Sequence, residues 1–82
     1  IKVWNIETGK CFKTLQGHSD SVYSVIKLDE SRIVSGSGDM TIKVWNIETG
    51  KCIQTLQGHS SNVRSVIKLD ESRIVSGSGD MT

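Results

Sequence analysis

The sequence predicts an all-β chain of short antiparallel strands, grouped four to a sheet, and three observations carry that prediction. Residues 1–41 and 42–82 align without a gap and are identical at 36 of 41 positions, so the chain is two copies of one unit. Within each unit, short runs rich in β-branched residues are separated by clusters of Gly, Asp, Asn and Ser, the punctuation of strands and turns. No stretch sustains the 3.6-residue apolar period of a helix face, which sets aside the helical repeat architectures.

Taken in order, Ile1 to Asn5 reads as a strand, Glu7 to Lys10 as a turn containing Gly9, and Cys11 to Leu15 as an outer strand. Gln16 to Ser21, carrying Gly17-His18, crosses to the next sheet. There Val22 to Leu28 is the inner strand, Asp29 to Ser31 a short polar turn and Arg32 to Ser37 the second strand. Gly38-Asp39-Met40 supplies turn chemistry before a third strand, Thr41 to Trp45, after which the cycle repeats. Residues 22–56 thus form one complete four-stranded set, flanked by an outer half (residues 1–15) and an inner half (residues 63–82). A chain that opens in mid-hairpin is expected to be cut from something longer or built to join something else.

Polar residues at fixed spacing mark Val34 to Asn46. A buried indole N–H needs an acceptor and a turn carboxylate needs donors, so Ser35, Asp39 and Trp45 are expected to share one network, with His18 as its fourth member. His59, Ser76 and Asp80 repeat the pattern, and the sixth position beyond Asp80 falls on Trp4 of a following copy. With Gly-His before the inner strand and Trp closing the third, His18, Ser35, Asp39 and Trp45 resemble the hydrogen-bonded tetrad of the WD-repeat family. Trp4-Asn5 and Trp45-Asn46 stand where that family more often has Trp-Asp, a change compatible with a turn. The 41-residue period is also that of four-stranded propeller blades. The resemblance implies two four-stranded antiparallel blades of a WD-repeat β-propeller, with units 1–41 and 42–82 forming part of one propeller domain. It implies a structural role for His18, Ser35, Asp39 and Trp45, and for His59, Ser76 and Asp80 with Trp4; Ser37 is the reserve for Ser35.

Ten basic and nine acidic residues, scattered along the chain, leave no electrostatic footprint for nucleic acid or an anionic membrane. No apolar run approaches the ~20 residues that span a bilayer, and nothing resembles a signal peptide. Cys11 and Cys52 recur one unit apart without a second cysteine nearby, which argues against a disulfide or zinc site and for small buried apolar side chains. These features together lead to an intracellular, cytoplasmic expectation, with no metal and no cofactor.

Candidate catalytic groups all recur at the repeat period, which places the copies in different blades and not in one pocket. Ser35-Gly36-Ser37-Gly38 lacks the following Gly-Lys-Ser/Thr of a phosphate loop, so Gly36 reads as a close backbone approach. A non-enzymatic chain is therefore expected.

The informative positions are those where the copies differ: Phe12/Ile53, Lys13/Gln54, Asp20/Ser61, Ser21/Asn62 and Tyr23/Arg64. Three of the five fall within four residues, after Gly-His, and Tyr and Arg are both strong interface residues when exposed. The resemblance puts this part of the blade on a rim where partners dock, which reads the exchanges as a contact surface diversified over a constant frame; the other reading is neutral exchange at solvated positions. The expected function is a protein-interaction scaffold that contacts a protein or peptide through Asp20, Ser21, Tyr23, Ser61, Asn62 and Arg64. The alternative is a designed or consensus-like structural repeat that self-assembles into a closed propeller. Each blade has two apolar faces that only neighbouring blades can cover, so head-to-tail self-association is expected of the 82-residue chain alone.

Overall fold

The computed structural model describes residues 1–80, apart from the side chain of Phe12. The expected continuation from Asp80 to Trp4 of a following copy therefore passes through residues 81 and 82, outside the described residues. The described chain runs through β1 (Lys2–Asn5), β2 (Lys10–Thr14), β3 (Val22–Lys27), β4 (Arg32–Ser37), β5 (Thr41–Asn46), β6 (Lys51–Gln57), β7 (Val63–Asp70) and β8 (Arg73–Ser78). These form a two-stranded sheet β1-β2, a four-stranded sheet β3-β4-β5-β6 and a two-stranded sheet β7-β8. All pairings are antiparallel, as adjacent strands joined by short turns dictate.

Each turn has its own chemistry. Asn46 Oδ1 accepts the Glu48 and Thr49 N–H groups at 2.9 and 3.1 Å, and Asn5 Oδ1 does the same for Glu7 and Thr8. An amide oxygen thus fills the acceptor role of the more frequent Asp in Trp-Asp. Gly9 and Gly50 close these turns at φ of 73° and 76°, where a side chain would be strained. Between β4 and β5 the positive φ falls on Met40, at 71°, and not on Gly38. Gly38 instead donates its N–H to Ser21 O, which ties this turn to the strand beside it.

The core lies between the complete sheet and β7. Leu28, Val34, Ile42 and Val44 pack against Val63 and Val66, with Ile26, Leu56 and Ile74 around them. β7 packs directly on Gly36: a Cβ there would stand 2.7 Å from Val63 Cγ1, so the position must be bare. Two bonds stitch the sheets together, from Val66 N–H to Ser24 Oγ (3.3 Å) and from Lys68 Nζ to Leu28 O (2.8 Å). On the other side of the complete sheet, Leu15 is buried and, with the stem of Lys13, lies against Gly50.

The cysteines correct the sequence reading. Cys11 and Cys52 are exposed free thiols, because both sit on an outermost strand where no further sheet covers them. Their Sγ atoms lie 3.4 Å from Lys13 O and Gln54 O. Across β5 and β6 the register skips between Val44 and Trp45, leaving Ile53 as the extra, exposed residue of a bulge.

Candidate functional site

Antiparallel pairing sets Ile33 opposite Trp45 and Ser35 opposite Lys43, so Ser35 and Trp45 lie diagonally on one face of the sheet. Trp45 Nε1–H donates to Ser35 Oγ at 2.8 Å. His18 enters from the segment between β2 and β3, its Nε2 2.7 Å from Ser35 Oγ and its Nδ1 2.8 Å from Asp39 Oδ2. The structure therefore brings His18, Ser35, Asp39 and Trp45 into one hydrogen-bonded chain. An ionised carboxylate only accepts, so His18 Nδ1–H donates to Asp39, and Ser35 O–H donates to the bare Nε2 while accepting from the indole. Each proton is then used once. Ser37, the reserve, does something else: its Oγ donates to Ser21 O (2.8 Å) and accepts the Asp39 N–H (3.1 Å).

The order Asp39, His18, Ser35 is that of a hydrolytic relay. Ser35, however, is completely buried and its oxygen already receives the indole proton, so no substrate carbonyl can approach it. Besides the Ser19 N–H, which donates to Asp39 Oδ2 at 3.0 Å, sequence reasoning missed two contributors. Thr41 donates its hydroxyl (2.6 Å) and its N–H (3.0 Å) to Asp39 Oδ1, which the Asp-x-Thr spacing could have signalled as an Asx turn. Gly17 is the other: a Cβ there would stand 2.9 Å from the Trp45 ring, so the Gly of Gly-His makes room for the indole.

In the second unit His59 Nε2 meets Ser76 Oγ at 2.7 Å, His59 Nδ1 meets Asp80 Oδ2 at 3.1 Å, and the Ser60 N–H donates to Asp80. Trp4 is not among them. Its ring is exposed, with Lys2 Nζ 5.8 Å from the centroid.

Burial pushes the Asp39 carboxyl up, but hydrogen bonds from Thr41, His18 and the Ser19 and Thr41 N–H groups outweigh it and hold the group well below the usual carboxylate range. A depressed folded-state value gives stability that is present above the unfolded value, near pH 4, and lost as pH falls through the folded one. Asp39→Ala is expected to cost roughly 1–3 kcal/mol at neutral pH, since buried donors lose their acceptor. Urea denaturation at a series of pH values should show the gap between wild type and variant narrowing below about pH 4; a constant gap would separate the carboxylate charge from the network.

Of the positions that differ between units, the group after Gly-His gathers around two constant glycines. Asp20 and Tyr23 lie against Gly38, and Ser61 and Asn62 against Gly79. Tyr23, Asn62 and Arg64 line one surface concavity of about 410 Å³, with Tyr23 and Arg64 exposed. Ser21 is exposed beside them, its N–H bonded to Asp20 Oδ1.

The family model described as "WD domain, G-beta repeat" matches residues 9–46 and 50–82. The chain belongs to the WD-repeat family. About half of the chain is similar to an uncharacterized WD repeat-containing protein of Schizosaccharomyces pombe, 44% identical over 43 residues, which is 51% of this chain and 12% of that protein. Among solved structures the computationally designed Ika4 protein matches at TM-score 0.86 and 38% identity, over 99% of this chain and 49% of Ika4. The WD40 β-propeller domain of Doa1 matches at TM-score 0.84 and 33% identity, over 96% of this chain and 26% of that one. The match thus spans an eighth to a half of these three proteins' own length. The four-stranded sheet β3-β6 is a complete WD-repeat blade, and β1-β2 and β7-β8 are halves of two others. WD-repeat propellers are generally non-enzymatic interaction scaffolds that bind proteins. Among the described residues no helix is long and apolar enough to cross a membrane.

Proposed function

We propose that this chain is part of a protein-interaction scaffold that performs no catalysis and holds a protein or peptide partner on the blade rim through Asp20, Ser21, Tyr23, Ser61, Asn62 and Arg64. The observation that carries the reading is the shared concavity of Tyr23, Asn62 and Arg64, built from positions that vary over an otherwise repeated frame. A phenol, an amide and a guanidinium offer stacking, hydrogen bonding and charge to one bound segment. Loops on a rigid sheet are where such contacts are built. In this reading the two hydrogen-bonded sets are structural, holding the loop that carries Asp20 and Ser21 at a fixed height above β4. Two exposed free thiols suit a reducing, intracellular setting, the cytoplasm included.

The test is a displayed peptide library screened on wild type and on a Tyr23→Ser, Arg64→Ser double variant. Affinity for selected peptides should fall at least about tenfold, with the melting temperature nearly unchanged. Loss of folding would assign both side chains to the core, and unchanged affinity would move the docking surface elsewhere.

The likeness to the designed Ika4 protein and the near-identity of the two units favour a second reading, a consensus-like module that assembles with copies of itself. It differs from the first in assigning Tyr23 and Arg64 no ligand.

A further inference from the structure

Of the three arginines in the chain, two are paired alike. Arg32 binds Asp29 and Arg73 binds Asp70, in each case through Nε at 2.7 Å and through an Nη atom, to a carboxylate three residues earlier. Arg64 has Ser61 at that spacing, and its Nε donates to Asn62 Oδ1 at 3.3 Å. Among the described residues no carboxylate meets this exposed guanidinium. The first unit is arranged the other way, with Asp20 in place of Ser61 and Tyr23 in place of Arg64. Asp20 Oδ2 and Tyr23 Cε2 stand 3.1 and 3.3 Å from one point, where a Cβ on Gly38 would be, so side chains at these two positions converge. An Asp at position 61 would by the same geometry stand beside Arg64 and neutralise it. The acid is therefore missing from the unit in which the cation is present. The rim as a result carries a negative end at Asp20, a half-exposed phenol at Tyr23 and a positive end at Arg64, with Tyr23, Asn62 and Arg64 around one concavity.

We infer that the segment held on this rim is an extended peptide of mixed charge, which sets an Asp or Glu carboxylate on Arg64 and a Lys or Arg side chain on Asp20 as it crosses Tyr23. This names the partner's chemistry within the rim-docking reading and rests on that reading. With Nε engaged by Asn62, the two Nη groups of Arg64 supply the parallel N–H donors that a carboxylate accepts, in a charge-assisted pair about twice as strong as a neutral one. A single positive charge matches a carboxylate; a phosphate dianion would bring a second negative charge with no cation lining the concavity to meet it. The ring of Tyr23 adds apolar area beside the pair, which keeps water from competing for it. At the other end Asp20 accepts the Ser21 N–H through Oδ1 at 2.7 Å, and among the described residues no cation meets its carboxylate. Packed sheets stand about 10 Å apart and an extended chain advances about 3.3 Å per residue, so the acid and the base of the segment fall about three residues apart. Opposite charges at the two ends also set its direction, since a reversed segment would place like charges against each other.

The probe is a displayed library of short peptides, selected separately on the 82-residue chain and on its Arg64→Glu variant. The parent chain is expected to enrich peptides with an acidic and a basic residue about three positions apart, in one order. Arg64→Glu should replace the acidic preference by a basic one, a gain that unfolding cannot produce. Ser61→Asp supplies the missing carboxylate inside the chain, fitting over Gly79 as Asp20 fits over Gly38, and should weaken a peptide selected on the parent at least about tenfold at unchanged melting temperature. Exchanging the acidic residue of that peptide for phosphoserine should bring no gain in affinity, and tighter binding would overturn the assignment of a carboxylate. Peptides enriched without charge preference, the same peptides enriched on Arg64→Glu, or undiminished affinity in Ser61→Asp would overturn this inference and leave the scaffold reading standing. No enrichment on the parent chain above bare support would overturn both.

Discussion

Trp45→Ala is expected to cost about 3–5 kcal/mol, the largest loss of any single truncation in the chain. The indole is the largest of the fully buried side chains, so its removal leaves a void beneath Gly17 that two sheets would have to move to fill. It also removes the N–H that Ser35 Oγ accepts, and Ser35 has no access to water that could replace it. Trp45→Phe separates the two losses, keeping most of the apolar surface while deleting the donor, and should cost about 1–2 kcal/mol. Urea denaturation of the three proteins reads both numbers against a total stability of about 5–15 kcal/mol for a typical domain. A Trp45→Ala cost below about 1 kcal/mol would mean that the indole is not what holds the His18 segment on the sheet.

Gly36→Val is expected to detach β7 and β8 from the complete blade. A Cβ at this position would stand 2.7 Å from Val63 Cγ1 and 3.0 Å from Val66 Cγ2, both short, branched side chains with no free rotamer to retreat into. Overpacking of this kind costs about 1–3 kcal/mol, and two further methyl groups place it at the upper end. The loss is local in its readout: amide protons of Val63–Asp70 and Arg73–Ser78 should exchange faster while Val22–Ser37 stays protected. Uniform loss of protection would show instead that the blade and the half-blade unfold as one unit.

Most of this fold could be read in the sequence because the repeat fixes its period and each break carries a turn residue. Arg32 to Ser37 is observed as read, and the other strands of the first copy differ by a residue at one end or, for Cys11 to Leu15 against β2, at both, where side-chain pattern stops distinguishing strand from turn. What could not be read depended on distant neighbours. The burial of the cysteines was misjudged because alternation reports which face a side chain takes but not whether another sheet covers that face. The positive φ at Met40 was hidden by the two glycines near it in sequence, the usual holders of that conformation. In the site, Ser35 and Trp45 were legible from the hairpin, because pairing alone puts them on one face. Thr41 was passed over as a strand residue, although its hydroxyl and its N–H both serve Asp39. The role of Gly17 needed the indole in place, since nothing local to Gly-His says what it must clear.

The complete sheet takes β3 and β4 from the first 41-residue copy and nearly all of β5 and β6 from the second, so sequence repeat and folded sheet are out of phase by half. This offset has a consequence for how such a gene can change. Recombination between the two near-identical copies adds or removes 41 residues at a stroke, and each added copy contributes one more whole sheet and one more junction of the kind found at Gly36. The terminal hairpins are left as they were. Crossing over at Val22, between Ser21 of one copy and Arg64 of the other, would also join the Asp20/Ser61 and Tyr23/Arg64 alternatives in new combinations, varying the exposed surface while the positions buried among the described residues stay constant.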